Sequence, residues 1–328
     1  MSGTGRTGHG GERDPLLDRL REELPRTTTA GTGVPDRDRL VFDPALKHFD
    51  YGYRAADPTV PPALRPAWQE ARKRVLALVL RAVSESGWAD SLVLRGSMLM
   101  AAWFGERARE PHDLDFVVVP RDWEIGEERT GRMLDSVAAA AERLAAAHGG
   151  LTLRAADAVA EDIWTYERVP GRRLVLPWSA PGLPTGQVQL DFVFNEPLPE
   201  APEPAVVAGV RVLAATRALS LAWKLVWLGY DSYPQGKDLY DAVLLAESCA
   251  LPYELVHGVF RAHEEWWPNA PDAPLDIEVF EDFRYVDWKG FRTDYPDVDP
   301  DGGRYGERLL AVLRPVFGRE GQGTAGRP

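Results

Sequence analysis

The sequence predicts an α+β fold: a mixed β-sheet with flanking helices, followed by a C-terminal helical domain. Short apolar runs bounded by glycine, proline and polar residues recur between positions 91 and 194, a pattern typical of strands. Alanine- and leucine-rich segments with helical spacing lie before and between these runs. Beyond a proline-rich stretch near position 200, the apolar spacing is helical.

The first elements follow from apolar spacing and a single turn. Apolar residues at helical spacing predict a helix over residues 62–87. The run Ser-Leu-Val-Leu-Arg predicts a short strand over 91–95. Gly96 and Ser97 then turn this strand into an apolar helix over 98–104.

The later elements alternate less regularly. A strand begins at Asp113, and an alanine-rich helix is predicted over 129–148. Four further strands are predicted at 151–154, 163–168, 172–176 and 187–194. Prolines and glutamates dominate residues 195–208, which predicts a linker or an extended crossover. Helices follow at 216–228, 237–249 and 253–266.

These elements predict two domains and two disordered ends. Residues 1–40 are rich in glycine, threonine, arginine and proline, and we expect a disordered leader there. The sheet domain is predicted over 41–200 and the helical domain over 201–317. Residues 318–328 are predicted to be a disordered tail.

Composition limits the possible functions. The chain has 328 residues and a formal net charge of −12, which opposes non-specific attraction to nucleic acid or anionic membranes. It contains neither an apolar run long enough to span a membrane nor an apolar signal core, so we expect no membrane association and a cytoplasmic location. A single cysteine, Cys249, excludes intrachain disulfides and cysteine-based zinc sites.

Three acidic residues are predicted to converge beside the Gly96-Ser97 turn. Asp113 and Asp115 lie two apart on one strand, so their side chains point to the same face. Asp191 lies inside an apolar strand, where a lone charge needs a partner such as a cation. Three carboxylates near a glycine turn at a helix start favour a site for a divalent metal and a phosphate.

Alternatives to this interpretation exist. Asp162, at the start of another predicted strand, is a second choice for the third carboxylate. Arg154, Arg168, Arg172 and Arg173 flank the predicted strands and form either a surface for a polyanionic substrate or a solvated hairpin. A lone Gly-Ser turn or a lone Asp-x-Asp pair is ordinary turn or strand-end chemistry.

The pattern of motifs resembles a known family. The motifs are Val-Leu-Arg-Gly-Ser-Met-Leu-Met, Arg109-Glu-Pro-His-Asp-Leu-Asp-Phe, Ala-Trp-Lys224-Leu-Val-Trp-Leu and Gly236-Lys-Asp-Leu-Tyr-Asp241. They span residues 70 to 250 and resemble the polymerase-beta-like nucleotidyltransferase superfamily, and within it the AbiEii-type toxins. The resemblance implies the polymerase-beta-like fold for the sheet domain. It also implies transfer of a nucleoside monophosphate from an NTP to a hydroxyl, with an RNA such as a tRNA end as acceptor and a cognate antitoxin.

The resemblance also implies residue roles. Asp113 and Asp115 would hold Mg²⁺, Asp191 would be the third carboxylate, and Gly96 and Ser97 would contact the NTP. Positive charge would come from Arg109 or from Lys224, although Lys224 could instead be a lysine at the helix surface. Lys237, Asp238 and Asp241 are secondary candidates, because a charge pattern at a helix start explains them equally well.

Two rival functions remain. One is nucleotide transfer to a small molecule of the aminoglycoside type or to a protein, since an acidic surface suits cationic acceptors. The other is a catalytically silent protein that binds a nucleotide or a partner without turnover. The intact set of carboxylates argues against the second, because a binding module does not need three converging negative charges.

Overall fold

The computed structural model describes residues 40–43, 53–55, 58–165, 169–230, 234–262, 274–280 and 302–318, with single positions between 283 and 298. Most of the predicted leader and tail therefore lies outside the described residues. The helices are α1 Arg65–Glu85, α2 Ser97–Phe104, α3 Glu128–His148, α4 Arg217–Tyr230, α5 Gly236–Ala246, α6 Tyr253–Arg261 and α7 Gly302–Phe317. The strands are β1 Leu40–Phe42, β2 Tyr53–Ala55, β3 Leu92–Arg95, β4 Asp113–Val118, β5 Thr152–Leu153, β6 Val159–Thr165, β7 Val169–Ser179, β8 Gly186–Val193, β9 Glu203–Val207 and β10 Val210–Ala214.

Eight strands form one mixed sheet. Their order is β5-β7-β8-β4-β3-β10-β9, and β6 also pairs with β7. The pairs β4–β8 and β3–β10 are parallel, and the others are antiparallel. The prediction of a mixed sheet with flanking helices is confirmed. Strands β1 and β2 form a separate two-stranded sheet.

Helices cover the apolar face of the sheet. Alternate residues of β4 and β8 are fully buried on this face, and Phe116 stacks on Phe192 across the two strands with ring centroids 5.5 Å apart. Helix α1 contacts β4, β8, β10 and α3. The other face of β4 and β8 is thereby left to carry charged residues.

The prediction of a linker or an extended crossover over 195–208 is wrong for its second half, which is a strand of the sheet. Residues Glu203–Val207 form β9, which pairs with β10 through a tight turn in which Ala208 and Gly209 both have positive φ. Strand β9 is at the edge of the sheet, where a proline such as Pro204 is tolerated. The sheet therefore continues past the predicted boundary at residue 200, and the division into two domains stays a prediction.

The elements described beyond β10 are all helices. Helix α4 packs against α5 and α6, and α7 packs against α5. The prediction of a C-terminal helical region is confirmed. The segment 263–266 at the end of the last predicted helix lies outside the described residues.

Candidate active site

Charged residues lie side by side across four strands. Arg95 of β3 is paired in register with Asp115 of β4, and Asp115 with Asp191 of β8. Asp191 is paired in turn with Arg173 of β7. Residues paired in register point to the same face, as does Asp113, two positions before Asp115. The sheet therefore brings the three predicted carboxylates to one face.

The alternative carboxylate, Asp162, belongs to the opposite face. It is paired in register with Arg172, the residue before Arg173, and it forms an ion pair with Arg172. More than half of the Asp162 side chain is exposed. Asp191 is consequently the residue that accompanies Asp113 and Asp115.

Gly96 and Ser97 begin helix α2 beside these carboxylates. The Ser97 hydroxyl donates a hydrogen bond to Oδ1 of Asp113 at 2.9 Å. Gly96 has φ of +78°, and a Cβ at this position would lie 2.2 Å from Oδ2 of Asp115. Only glycine permits both this backbone conformation and this close approach.

Arg173 is the partner that Asp191 requires in the interior. Its Nε and Nη2 donate to the two oxygens of Asp191, both at 2.8 Å, and its Nη1 donates to Asp43 at 2.7 Å. Gln189 donates a further hydrogen bond to Asp191 at 3.1 Å. The expectation that Asp191 needs a cationic partner in the interior is met by this guanidinium, and its role as a metal ligand stays a prediction.

The four arginines that were candidates for a basic surface do not lie together at the site. Arg173 is 1% exposed and belongs to the site. Arg172 and Arg154 pair with Asp162 and Asp157 away from it, and Arg168 lies outside the described residues. A continuous basic surface from these residues does not form among those described.

The three carboxylates differ in their electrostatic surroundings. Burial, with Asp113 and Asp191 nearby, raises the pKa of Asp115 to about 7. Burial opposes ionisation of Asp113 too, but Lys237, Arg109 and the Ser97 hydrogen bond hold its pKa below the ordinary value. Burial raises the pKa of Asp191, against the opposing effect of Arg173. Asp115 is thus the carboxylate with the least compensated charge.

A buried charge network joins the sheet to the C-terminal helices. Arg109 donates through Nε and Nη2 to Asp241 at 3.1–3.2 Å, and through Nη1 to the Tyr295 hydroxyl at 2.9 Å. Nζ of Lys224 lies 2.7 Å from Asp238 and 3.2 Å from Asp241. Two cations and two anions therefore neutralise one another, which gives Asp238 and Asp241 defined partners.

All three carboxylates open into one cavity of about 180 Å³. Gly96, Arg109, Lys224, Lys237 and Asp238 also line this cavity. Ser97 and Asp241 do not line it, but they hydrogen-bond to residues that do. Nearly all the predicted site residues are therefore gathered around a single space.

Comparison with known proteins identifies the family. A model of the family described as nucleotidyl transferase AbiEii toxin, type IV toxin–antitoxin system, matches residues 78–315. The chain belongs to this family. It is accordingly a nucleotidyltransferase of the toxin–antitoxin type. Comparison with curated proteins finds no match.

Solved structures that resemble this AbiEii-family chain are distant. One is a protein from H. pylori described as a candidate nucleotidyltransferase, with 13% identity, a TM-score of 0.43, and coverage of 76% of this chain and 95% of that one. Another is MenT4, a nucleotidyltransferase toxin from Mycobacterium tuberculosis H37Rv, with 18% identity, a TM-score of 0.42, and coverage of 78% and 99%.

Two acidic residues near the AbiEii-family site were missed from the sequence. Asp43 directly follows β1 and reaches Arg173, and Glu196 follows β8 and lies 3.8 Å from Arg95. Each is an acid that closely follows an apolar run, a weaker signal than the acid inside an apolar run at Asp191.

Among helices α1–α7, none combines the length and the hydropathy needed to cross a membrane.

Proposed function

We propose that this chain transfers a nucleoside monophosphate from an NTP to a hydroxyl of an RNA, with a tRNA end as the acceptor and Mg²⁺ as the cofactor. In this proposal it acts in the cytoplasm and is restrained by a cognate antitoxin. The observation that carries the proposal is the convergence of Asp113, Asp115 and Asp191 beside the Gly96-Ser97 helix start. The RNA acceptor and the antitoxin are supported only by the family.

The donor set fits a hard divalent cation. Asp113 and Asp115 offer carboxylate oxygens, and the pKa of Asp115 is raised to about 7 by burial and then by the nearby charges of Asp113 and Asp191, which a cation would offset. In the described part of the chain no three acidic, histidine or cysteine side chains form a ready-made metal cluster. Both oxygens of Asp191 are engaged by Arg173, so Asp113 and Asp115 are the principal proposed ligands and Asp191 the third.

The bound metal would supply charge neutralisation for the triphosphate and for the leaving pyrophosphate. The acceptor hydroxyl attacks the α-phosphorus, a new P–O bond forms, and the bond to the bridging oxygen of pyrophosphate breaks. In this proposal the hydroxyl proton passes to Asp191, the carboxylate that the family resemblance offers for this role. Ser97 orients Asp113, and the start of α2 presents backbone N–H groups to phosphate oxygens.

Cations around the cavity have separate proposed roles. Lys237 lines the cavity and lowers the pKa of Asp113, so it is placed to interact with phosphate charge. The charges of Arg109 and Lys224 are balanced by Asp238 and Asp241. We propose that these four residues fix α4 and α5 against the sheet, with Lys224 facing the nucleotide.

The decisive experiment follows label from each α-³²P-NTP in the presence of Mg²⁺. Purified tRNA, total RNA, protein and aminoglycosides serve as acceptors, and Asp113→Asn and Asp115→Asn are the test variants. Asp162→Asn is the matched control, since it removes a carboxylate from the opposite face of the same sheet. We expect label on tRNA with the wild type and the control, and a loss of at least about 100-fold in both test variants.

Other outcomes would redirect the proposal. Label on a protein or an aminoglycoside would replace the RNA acceptor. Metal-dependent NTP binding without pyrophosphate release would indicate a silent binding protein. An unchanged rate in Asp113→Asn and Asp115→Asn would refute the assignment of the site.

A further inference from the structure

One face of helix α4 presents polar and aromatic residues to the cavity. Ser220, Trp223, Lys224 and Trp227 recur at spacings of three and four residues, and all four line the cavity with the carboxylates. Leu221 and Leu225 of the same helix belong to the hydrophobic core, which Trp223 and Trp227 also contact. The strip therefore lies where the core meets the cavity.

Two polar atoms of this strip are buried without a partner. Ser220 is 8% exposed and Trp223 is 4% exposed. Oγ of Ser220 and Nε1 of Trp223 have no hydrogen-bond partner within the described part of the chain. A buried indole N–H normally finds an acceptor, and leaving such a group unpaired is unfavourable. Because both residues belong to the cavity lining, a ligand bound there is the source of hydrogen-bond partners that this arrangement favours.

The indole of Trp223 is held in place before any ligand binds. The Arg95 guanidinium lies over its ring, 5.1 Å from the centroid. Arg95 directly precedes Gly96 and is paired in register with Asp115, so Trp223 lies near the carboxylates. A fixed donor discriminates between ligands more sharply than a mobile one.

The neighbouring residues indicate which part of a nucleotide lies here. Lys224 already pairs with Asp238 and Asp241, so the strip contributes little unbalanced positive charge for phosphate. Trp223 can only donate a hydrogen bond, and the Ser220 hydroxyl can donate or accept. Trp227 is half-buried, one helical turn beyond Trp223, and its ring suits stacking.

We infer that Ser220, Trp223 and Trp227 form the nucleobase site of this enzyme. Trp227 stacks on the base, while Trp223 and Ser220 hydrogen-bond to acceptor atoms on the base edge, namely carbonyl oxygens or ring nitrogens. This inference rests on the proposed NTP substrate and adds the residues that select among NTPs. A base that presents an amino group to Trp223 would leave the indole N–H unpaired and would bind more weakly.

Equilibrium binding tests the inference. Dissociation constants are measured calorimetrically for each of the four NTPs and for inorganic tripolyphosphate, all with Mg²⁺, on the wild type, Trp223→Phe, Ser220→Ala and Trp227→Leu. Trp223→Phe keeps an aromatic ring near Arg95 but removes the N–H donor together with part of the indole ring, so its thermal unfolding is compared with that of the wild type. Trp88→Phe is the matched control, because Trp88 packs on Trp123 and does not line the cavity.

We expect Trp223→Phe to weaken the tightest-binding NTP about tenfold and to narrow the spread among the four NTPs. Trp227→Leu should weaken all four about tenfold, and Ser220→Ala by a smaller factor. Tripolyphosphate binding and the Trp88→Phe constants should not change.

Two results would overturn the inference. Equal weakening of NTP and tripolyphosphate binding would assign the strip to phosphate, and unchanged constants in folded variants would remove any nucleotide role. Thermal unfolding of each variant identifies misfolding, and Ser220→Ala provides a second, smaller perturbation if Trp223→Phe misfolds. If the wild type transfers label and the variants bind NTP normally, this inference fails alone. If the wild type neither binds nor transfers, the proposed function fails with it.

Discussion

Removing the Arg173 guanidinium should destabilise the protein far more than removing the guanidinium of the adjacent Arg172. Arg173 is 1% exposed and makes three charge-assisted hydrogen bonds of 2.7–2.8 Å to Asp191 and Asp43. Arg173→Met leaves two buried carboxylates without this partner, and breaking a buried ion pair costs about 3–5 kcal/mol. At roughly 2–4 °C per kcal/mol, the Tm should fall by roughly 10 °C.

The pH dependence of this loss distinguishes charge from packing. Burial raises the pKa of Asp191, and Arg173 opposes this effect. Loss of Arg173 should therefore raise the folded-state pKa of Asp191 further above its unfolded value. A raised carboxyl pKa gives stability that is present below the unfolded pKa and is lost as pH rises through the folded pKa. Arg173→Met should therefore be more destabilised at pH 8 than at pH 5.5 in urea unfolding.

Arg172→Met is the matched control. Arg172 precedes Arg173, faces the opposite side of the sheet and pairs with a largely exposed Asp162. Its loss should change the free energy of unfolding by less than about 1 kcal/mol. If the two variants lost similar stability, or if the loss in Arg173→Met did not depend on pH, the account of Arg173 as a charge partner would be refuted.

Three other perturbations give distinct expectations. Gly96→Ala should lower kcat/KM at least about 100-fold by displacing Asp115. Gly87→Ala is the control, because Gly87 has a similar positive φ but no atom lies within 4 Å of an added Cβ. This control should lose about 1 kcal/mol of stability and keep its activity. The pKa of Asp115 is raised to about 7 from 3.8, so the metal-free protein should lose up to about 4 kcal/mol of stability between pH 4 and 8. The rise in Tm that Mg²⁺ induces should grow over the same pH range. An Asp115→Asn variant with an unchanged pH profile of stability would contradict this expectation. Lys224→Met should lower the free energy of unfolding by about 3 kcal/mol, because it removes the ammonium that lies 2.7 Å from buried Asp238. In urea unfolding, the double variant Lys224→Met/Asp238→Asn should recover most of this loss. No recovery in the double variant would refute the pairing.

The sequence was most informative where the relevant geometry is local. The two-residue period of a strand places Asp113 and Asp115 on one face, and this needs no knowledge of neighbouring strands. Gly96-Ser97 is a strand-to-helix turn within one short segment. Asp191 was found because a single acid interrupts an apolar run, although its actual partner, Arg173, could not be found in that way.

Contacts that depend on strand register and on distant segments were not predictable. The pairing of Asp191 with Arg173 requires β7 and β8 to pair in one particular register, and a slip of one residue would bring Arg172 to that face. Asp43 reaches the site from a segment far away in the chain. Strand β9 is not predictable from its own residues, because Pro204 is typical of a linker and is acceptable in a strand only at a sheet edge.

The unequal compensation of the three carboxylates indicates how the site is divided between structure and chemistry. Asp191 is bound through both oxygens by Arg173, and Asp113 has Ser97 and the nearby Lys237. Asp115 has Arg95 nearby, but Arg95 also lies over an indole ring and beside Glu196. The protein therefore compensates two of the carboxylates internally and leaves Asp115 with an unfavourable charge, which a divalent cation would stabilise most. In our proposal, the ionisation of Asp115, which lies against Gly96, consequently depends on the metal more strongly than that of the other two carboxylates. The position of the Asp115 side chain depends on the metal for the same reason.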